Sequence, residues 1–359
     1  MISNKHKPFC YAPWVSILNS NVLKGTAPCC EWKADTYVGP LSLYQNSNYL
    51  NKIKKAMLKH DMEYLATSCQ ECIAGEKFGG TTRRQKYHRY IENGIYNTVD
   101  LQEFDYRPSN LCNLKCVMCN EFQSSMIAKE KNITIKKYMN TEDYKKIDLD
   151  KLQQLYVVGG EPSIQIECYD FLEYCISKNL HETTVLSITT NATNTQKRWM
   201  DLLSKWKHVD IGISLDGIGK NLEYIREGSS WKSIEENCKI YENYFDVGYL
   251  STCQAYNVPN VEDWFEWFLP KQKVNLTPVY GHNDLTLMSI PTEILENKVK
   301  YLTNLNHPLA DTMINIINLV DFDPAQLIRL NHRTITKEEK SKKRILDVNP
   351  IYQFIYDAE

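Results

Sequence analysis

The sequence predicts an α/β protein, a partial (β/α)6 barrel of TIM type with a small N-terminal cysteine-rich domain and a helical C-terminal tail. Three observations predict it. From about residue 102, six short β-rich runs alternate with helical patterns, as βα units around a parallel sheet do. Six units are fewer than the eight that close a full barrel. The first hundred residues break this rhythm and hold five of the chain's twelve cysteines.

Taken in order, residues 1–100 carry turn-rich segments (NSN, GTAP, VGP) and a helical pattern around Leu50 to Leu65, and read as a separate domain. The strands of the barrel, residues 101–285, are FDYRPS (104–109), LYVVGG (155–160), VLSITT (185–190), VDIGISLD (209–216), LSTCQAYN (250–257) and KVNLTPVY (273–280). Between them apolar residues recur at helical spacing: Trp199, Leu202, Leu203 and Trp206, then Trp231, Ile234, Cys238 and Tyr241, then Val261, Trp264, Phe265 and Phe268. These predict amphipathic crossover helices, with the site at the C-terminal strand ends. In residues 286–359, Ile294, Leu295, Val299 and Leu302 share a helical face, and KEEKSKKR reads as a solvated one.

The 359 residues carry a formal net charge of −2 with acids and bases mixed, which leaves no electrostatic footprint for nucleic acid or a membrane surface. No apolar run is long enough to span a bilayer. The N-terminus lacks an apolar stretch followed by a small-residue cleavage site, so a cytoplasmic location is expected. Twelve cysteines in such a chain point to metal or redox chemistry, because reducing compartments do not sustain disulfide frameworks. Cys168, Cys175, Cys238 and Cys253 fall on apolar faces and read as core residues. The basic-aromatic run TTRRQKYHRY reads as a joining segment or a solvated face, and the eight histidines form no HxxxH or HxH pair.

The segment SNLCNLKCVMCN places Cys112, Cys116 and Cys119 at C-x3-C-x2-C spacing directly after the first strand. Three thiolates ligate three irons of a cubane and leave the fourth iron open for chemistry. The same three thiols are a conceivable zinc site, although zinc prefers four protein ligands when structural and three plus water when catalytic. The second strand closes on Gly159-Gly160-Glu161-Pro162. The glycines let the backbone approach a ligand, Pro162 stiffens the exit, and Glu161 offers a carboxylate to an ammonium. Strands three and four end in Thr189-Thr190-Asn191 and Ser214-Leu215-Asp216-Gly217, small polar groups that serve either hydroxyl recognition or turn chemistry. Arg226 presents a fork for a carboxylate or is an exposed helix arginine. Cys10, Cys29, Cys30, Cys69 and Cys72 supply a CxxC and further thiols to one small domain, a pattern that serves zinc and an iron–sulfur cluster equally on spacing alone.

The triad, its place after the first strand and the GGEP segment one strand later resemble the radical S-adenosylmethionine (SAM) superfamily. The resemblance implies a [4Fe-4S] cluster on Cys112, Cys116 and Cys119 whose open iron chelates SAM, and a 5′-deoxyadenosyl radical that abstracts a substrate hydrogen. It implies that Gly159, Gly160, Glu161 and Pro162 face the methionyl amino group. Asn191, Ser214 and Asp216 would then lie near the ribose or the carboxylate, Arg226 near the SAM carboxylate, and Gln254 and Tyr256 on the adenine or substrate side. Where relatives often have an aromatic residue before the last cysteine, this chain has Met118, a flexible apolar substitute. Ala192 stands where a glycine is common.

Residues 9–85, with PW, APCCEW and CxxC followed by AGEKFGGTTRRQ, resemble the SPASM/twitch type of auxiliary-cluster module placed ahead of the barrel. This implies a second [4Fe-4S] cluster on Cys10, Cys29, Cys69 and Cys72, with Cys30 a spare or substitute. The expected activity is radical modification of a peptide or protein side chain, fed by a reductant such as flavodoxin or ferredoxin. Modification of a nucleotide, sugar or small metabolite is the alternative reaction. A zinc-stabilised, non-catalytic binding scaffold is the alternative of another class.

Overall fold

The computed structural model describes residues 9–77, 81–279 and 282–358. Phe78-Gly79-Gly80 of the N-terminal motif and Tyr280 of the last strand run lie outside the described residues. Among the described residues ten strands are formed: β1 Ser16–Ser20, β2 Gly25–Ala27, β3 Glu103–Arg107, β4 Lys115–Cys116, β5 Gln154–Val157, β6 Val185–Thr190, β7 Val209–Ser214, β8 Arg226–Glu227, β9 Asp246–Cys253 and β10 Val274–Pro278. Eight belong to one sheet, and β4 pairs with β8 in a two-stranded ribbon. The architecture is the expected α/β partial barrel with a helical C-terminal region.

The chain divides into two compact units. One comprises Met1–Cys112, Glu121–Thr189 and Gln196–Asp210, and the other Asn113–Asn120, Thr190–Thr195 and Ile211–Glu359.

In the first unit the strand order is β6-β5-β3-β1-β2. All neighbours run parallel except the β1–β2 hairpin. The register lines up Ile17, Phe104, Leu155 and Leu186 in one row, each at most 1% exposed. Helix Ile166–Ser177 buries Cys168, Phe171, Leu172 and Cys175, and Phe171 packs 4.3 Å from the Tyr106 ring. The N-terminal region contributes β1 and β2, where no strand is expected from its sequence. Its helices Asn48–Lys59, Met62–Ser68 and Arg83–Glu92 enclose Ile53, Met57, Leu65 and Tyr87. In the last of these, Lys86 reaches Glu103 and Tyr156 at 2.8 and 2.6 Å, and Arg83 pairs with Glu103 at 3.6 Å. The TTRRQKYHRY run thus fastens a helix to a buried carboxylate.

In the second unit the order is β10-β9-β7. Helix Trp231–Tyr244 buries Ile234, Cys238 and Tyr241 as its spacing predicts. Two expectations fail here. The fifth strand spans Asp246–Cys253 and stops four residues early, because the Asn257 side chain accepts the Gln254 N–H at 2.8 Å and closes a turn. The third crossover helix is broken into a 3-10 segment, Val258–Asp263, and a single turn, Phe265–Phe268, with Asn260 non-helical. Its apolar residues are buried nonetheless. The C-terminal helices are Thr292–Leu305, Pro308–Ile317 and Pro324–Ser341. The KEEKSKKR stretch is only partly solvated: Lys337 pairs with Glu227 at 2.9 Å, and Glu338 accepts from Tyr356 at 2.6 Å.

Candidate active site

The cysteine loop leaves the C-terminal end of β3. In the first unit its opening residues are held by backbone contacts. Cys112 donates its N–H to Ser125 Oγ at 3.1 Å, and the same hydroxyl donates to the Cys112 carbonyl at 3.2 Å. The Ser125 N–H donates to the Asn110 carbonyl at 2.7 Å. The glycine turn that ends β5 lies against this segment. Glu161 donates its N–H to the Leu111 carbonyl at 2.8 Å, and buried Gln165 bridges the carbonyls of Gly159 and Leu111 at 2.8 and 3.1 Å. Gly160 has φ +45°, and a Cβ there would stand 2.2 Å from the Leu111 carbonyl oxygen. Glycine is required because backbone meets backbone. Glu161 is 1% exposed, and its Oε1 accepts from the N–H and hydroxyl of Ser163 at 3.2 and 2.7 Å, capping the 3-10 turn that Pro162 begins.

In the second unit the rest of the loop is ordered by the ribbon. Cys116 lies directly opposite Arg226, and Lys115 opposite Glu227. Residues opposed in an antiparallel pair put their side chains on one face within contact. Accordingly Arg226 Nη1 donates to Cys116 Sγ at 3.7 Å, while its Nη2 lies 2.7 Å from Asp216 Oδ2. Asp216 is fully buried, accepts the Thr252 N–H at 2.7 Å, and has its carbonyl bound by Asn257 at 3.0 Å. The Cys116 thiol is held below its ordinary range by a hydrogen bond with Cys119, with burial opposing and the Arg226 charge assisting. Burial pushes the Asp216 carboxyl up, against the pull of Arg226. Arg226 is therefore no exposed helix arginine, and its fork is already engaged by a cysteine and a carboxylate.

Other nominated residues fall at varying distance from this nucleus. Asn191 donates to the Asn113 side chain at 3.0 Å, next to Cys112 in the chain, and accepts from Thr193. The Met118 carbonyl is bound by the His282 ring at 2.7 Å, and the Val117 carbonyl by Arg333. Ser214 sits half-buried at the end of β7. Gln254 is fully buried, and neither of its side-chain polar atoms has a hydrogen-bond partner. Tyr256 points elsewhere: its hydroxyl meets Thr334 at 2.8 Å on the long C-terminal helix, and its ring packs on Tyr224. Sequence reasoning missed Asn113, Ser125, Gln165, His282 and Arg333. Only Ser125, just past a capping serine, sits in a local pattern that hints at its place.

The N-terminal cysteines meet within the first unit. Cys10, Cys29, Cys69 and Cys72 line one cavity, together with Trp32, Met57 and Arg84. Burial pushes the Cys10 and Cys69 thiols up to about 12. Cys30 is outside that lining: it accepts from Arg83 Nε at 3.4 Å and donates to Glu31 at 3.6 Å. Four thiols around one cavity form a soft donor set, suited to an iron–sulfur cluster and to zinc. Among the described residues no three Cys, His, Asp or Glu side chains already stand at metal-holding geometry.

Residues 106–267 match the model of the radical SAM superfamily. The match covers less than half of the chain, which through that stretch is similar to the radical SAM superfamily. The similarity points to an enzyme of that class, with SAM and a [4Fe-4S] cluster as cofactors. A search of curated proteins returns no match. Among solved structures, native anSMEcpe with bound AdoMet is similar at 18% identity over 57% of this chain and 60% of that one, with a TM-score of 0.44. Streptococcus suis SuiB bound to precursor peptide SuiA is similar at 16% identity over 74% and 63%, TM-score 0.42, and SuiB bound to S-adenosylmethionine at 16% over 75% and 63%, TM-score 0.42. The matches span less than two thirds of those chains. No helix among the described residues is long and apolar enough to cross a membrane.

Proposed function

We propose that this radical SAM enzyme modifies a peptide or protein side chain in the cytoplasm, using two [4Fe-4S] clusters and a reductant such as flavodoxin or ferredoxin. Cys112, Cys116 and Cys119 would hold the SAM-binding cluster, and Cys10, Cys29, Cys69 and Cys72 the auxiliary one. When bound, the first cluster supplies the electron that cleaves SAM into methionine and a 5′-deoxyadenosyl radical, which takes a hydrogen atom from the substrate. The observation that carries the reading is the fixing of the cysteine loop. Within the first unit Ser125 and the Gly159–Pro162 turn hold Leu111 and Cys112; within the second the ribbon holds Cys116 and His282 holds the carbonyl before Cys119. Backbone held in this way within each unit lowers the ordering cost of binding a cofactor there.

In this reading the chain's residues bind and orient. Gly160 brings the turn within reach of the loop, Glu161 offers its carboxylate to the SAM amino group, and Asn191 and Ser214 line the strand ends. Residues 1–100 form the auxiliary module, 101–285 the radical SAM core and 286–359 a helical extension.

Anaerobically reconstituted protein should be brown, carry about eight irons and release 5′-deoxyadenosine from SAM on reduction. Replacing Cys112, Cys116 and Cys119 with alanine should abolish the cleavage and leave about four irons. Colourless protein holding stoichiometric zinc would overturn the assignment.

A further inference from the structure

We propose that Arg226 is a positioning residue that sets the reduction potential of the cluster bound at Cys116, and that Asp216 limits how much of its charge the cluster feels. The inference rests on the ligand reading above and gives Arg226 and Asp216 a role other than contact with SAM. Three observations carry it.

The first is placement. Arg226 is the cross-strand neighbour of Cys116 in the β4–β8 ribbon, so its side chain reaches the sulfur from a fixed backbone position. Lys115, Glu227 and Lys337 pair with one another on the other register position and brace the ribbon.

The second is burial. Arg226 is 8% exposed and Asp216 is fully buried, so water does not screen the guanidinium from the sulfur. The third is an unused donor: Arg226 Nε is buried and has no hydrogen-bond partner among the described residues. One N–H points its bond at Cys116, and a second remains for a sulfur-rich group.

Reduction adds one electron to the cluster and makes it more negative. A neighbouring positive charge and hydrogen bonds to sulfur stabilise that state and raise the potential. Asp216, 2.7 Å from the guanidinium, works against this by neutralising part of the charge. The two residues therefore act with opposite sign. A purely structural role would move both variants the same way, or neither.

The test is a redox titration of the reconstituted, SAM-free protein by electron paramagnetic resonance, read on the signal that Cys116→Ala abolishes. Arg226→Gln should lower the potential, leaving about tenfold less reduced cluster at a fixed poise, equivalent to about 59 mV for a one-electron couple. Asp216→Asn keeps the acceptor for the Thr252 N–H and should raise it. Arg226→Lys keeps the charge without the fork and should fall between wild type and Arg226→Gln. Iron content is measured on each variant, and if Arg226→Gln loads poorly, Asp216→Asn and Arg226→Lys decide. Unchanged potentials at full iron content, or shifts of one sign in both variants, would overturn the proposal. So would a variant that weakens SAM binding while leaving the SAM-free potential unaltered. If Cys116→Ala abolishes no signal and removes no iron, the ligand reading itself fails.

Discussion

Replacing Gly160 with alanine tests whether the GGEP turn helps build the cluster site. The new Cβ would stand 2.2 Å from the Leu111 carbonyl oxygen, where real Cβ atoms keep at least 3.0 Å, so the two backbones must part by about 0.8 Å. Metal–ligand distances tolerate about 0.2 Å. Leu111 is the residue before Cys112, so the retreat passes into one of the proposed ligands. The φ of +45° adds strain of about 1–2 kcal/mol for a residue with a side chain. Gly160→Ala, with every cysteine intact, should therefore lose iron from the SAM-binding site, slow SAM cleavage at least tenfold and unfold at lower urea. Iron assay and single-turnover release of 5′-deoxyadenosine check it. Full iron with full cleavage would show that the Leu111 contact does not hold Cys112 in place.

Three further outcomes are expected. Cys30→Ser should keep the N-terminal iron, since Cys30 is not among the cavity-lining residues and its sulfur is engaged by Arg83 and Glu31, whereas Cys29→Ser should lose it; iron assays on the two variants distinguish them. Glu103 is buried, which raises its carboxyl, but Arg83 and Lys86 outweigh burial and bring it below its ordinary value. A carboxylate depressed by folding contributes stability that is full above its unfolded value and fades as pH falls through its folded one. Glu103→Gln should thus cost about 3–5 kcal/mol at pH 7. Urea midpoints taken from pH 7 to 3 should show wild type's advantage shrinking only below the ordinary carboxylate value of 4.5. Tyr256→Phe should lower the melting temperature through loss of the Thr334 hydrogen bond while leaving SAM affinity within twofold, as calorimetry would show.

Much of this was legible because the signals are local. The run at 185–190 coincides with β6, since Val185, Ile188 and their neighbours carry a strand's composition between turn residues. The cysteine spacing and the glycine turn announce themselves in the same way. What was not legible depends on partners distant in sequence. β1 is Ser-Ile-Leu-Asn-Ser, all five residues buried, so it shows neither alternation nor an apolar run. Its polar members are satisfied inside, as when Asn19 binds Thr26 at 2.9 Å. Arg226 reads equally as a fork for a carboxylate and as a helix arginine until its ribbon places it opposite Cys116, 110 residues earlier. The choice between Cys29 and Cys30 turns on which of two adjacent thiols faces the cavity: Cys29 lines it and Cys30 does not.

The ribbon also fixes an order of events in the life of the chain. Lys115 and Cys116 pair as a strand with Arg226 and Glu227, so a nascent chain that ends before those residues carries Cys116 on a ribbon not yet closed. Closing so long a loop is an entropic cost met late in folding. That thiol is therefore exposed to solvent metal and oxidants during synthesis. Cluster delivery is best matched to a chain that has already emerged past residue 227.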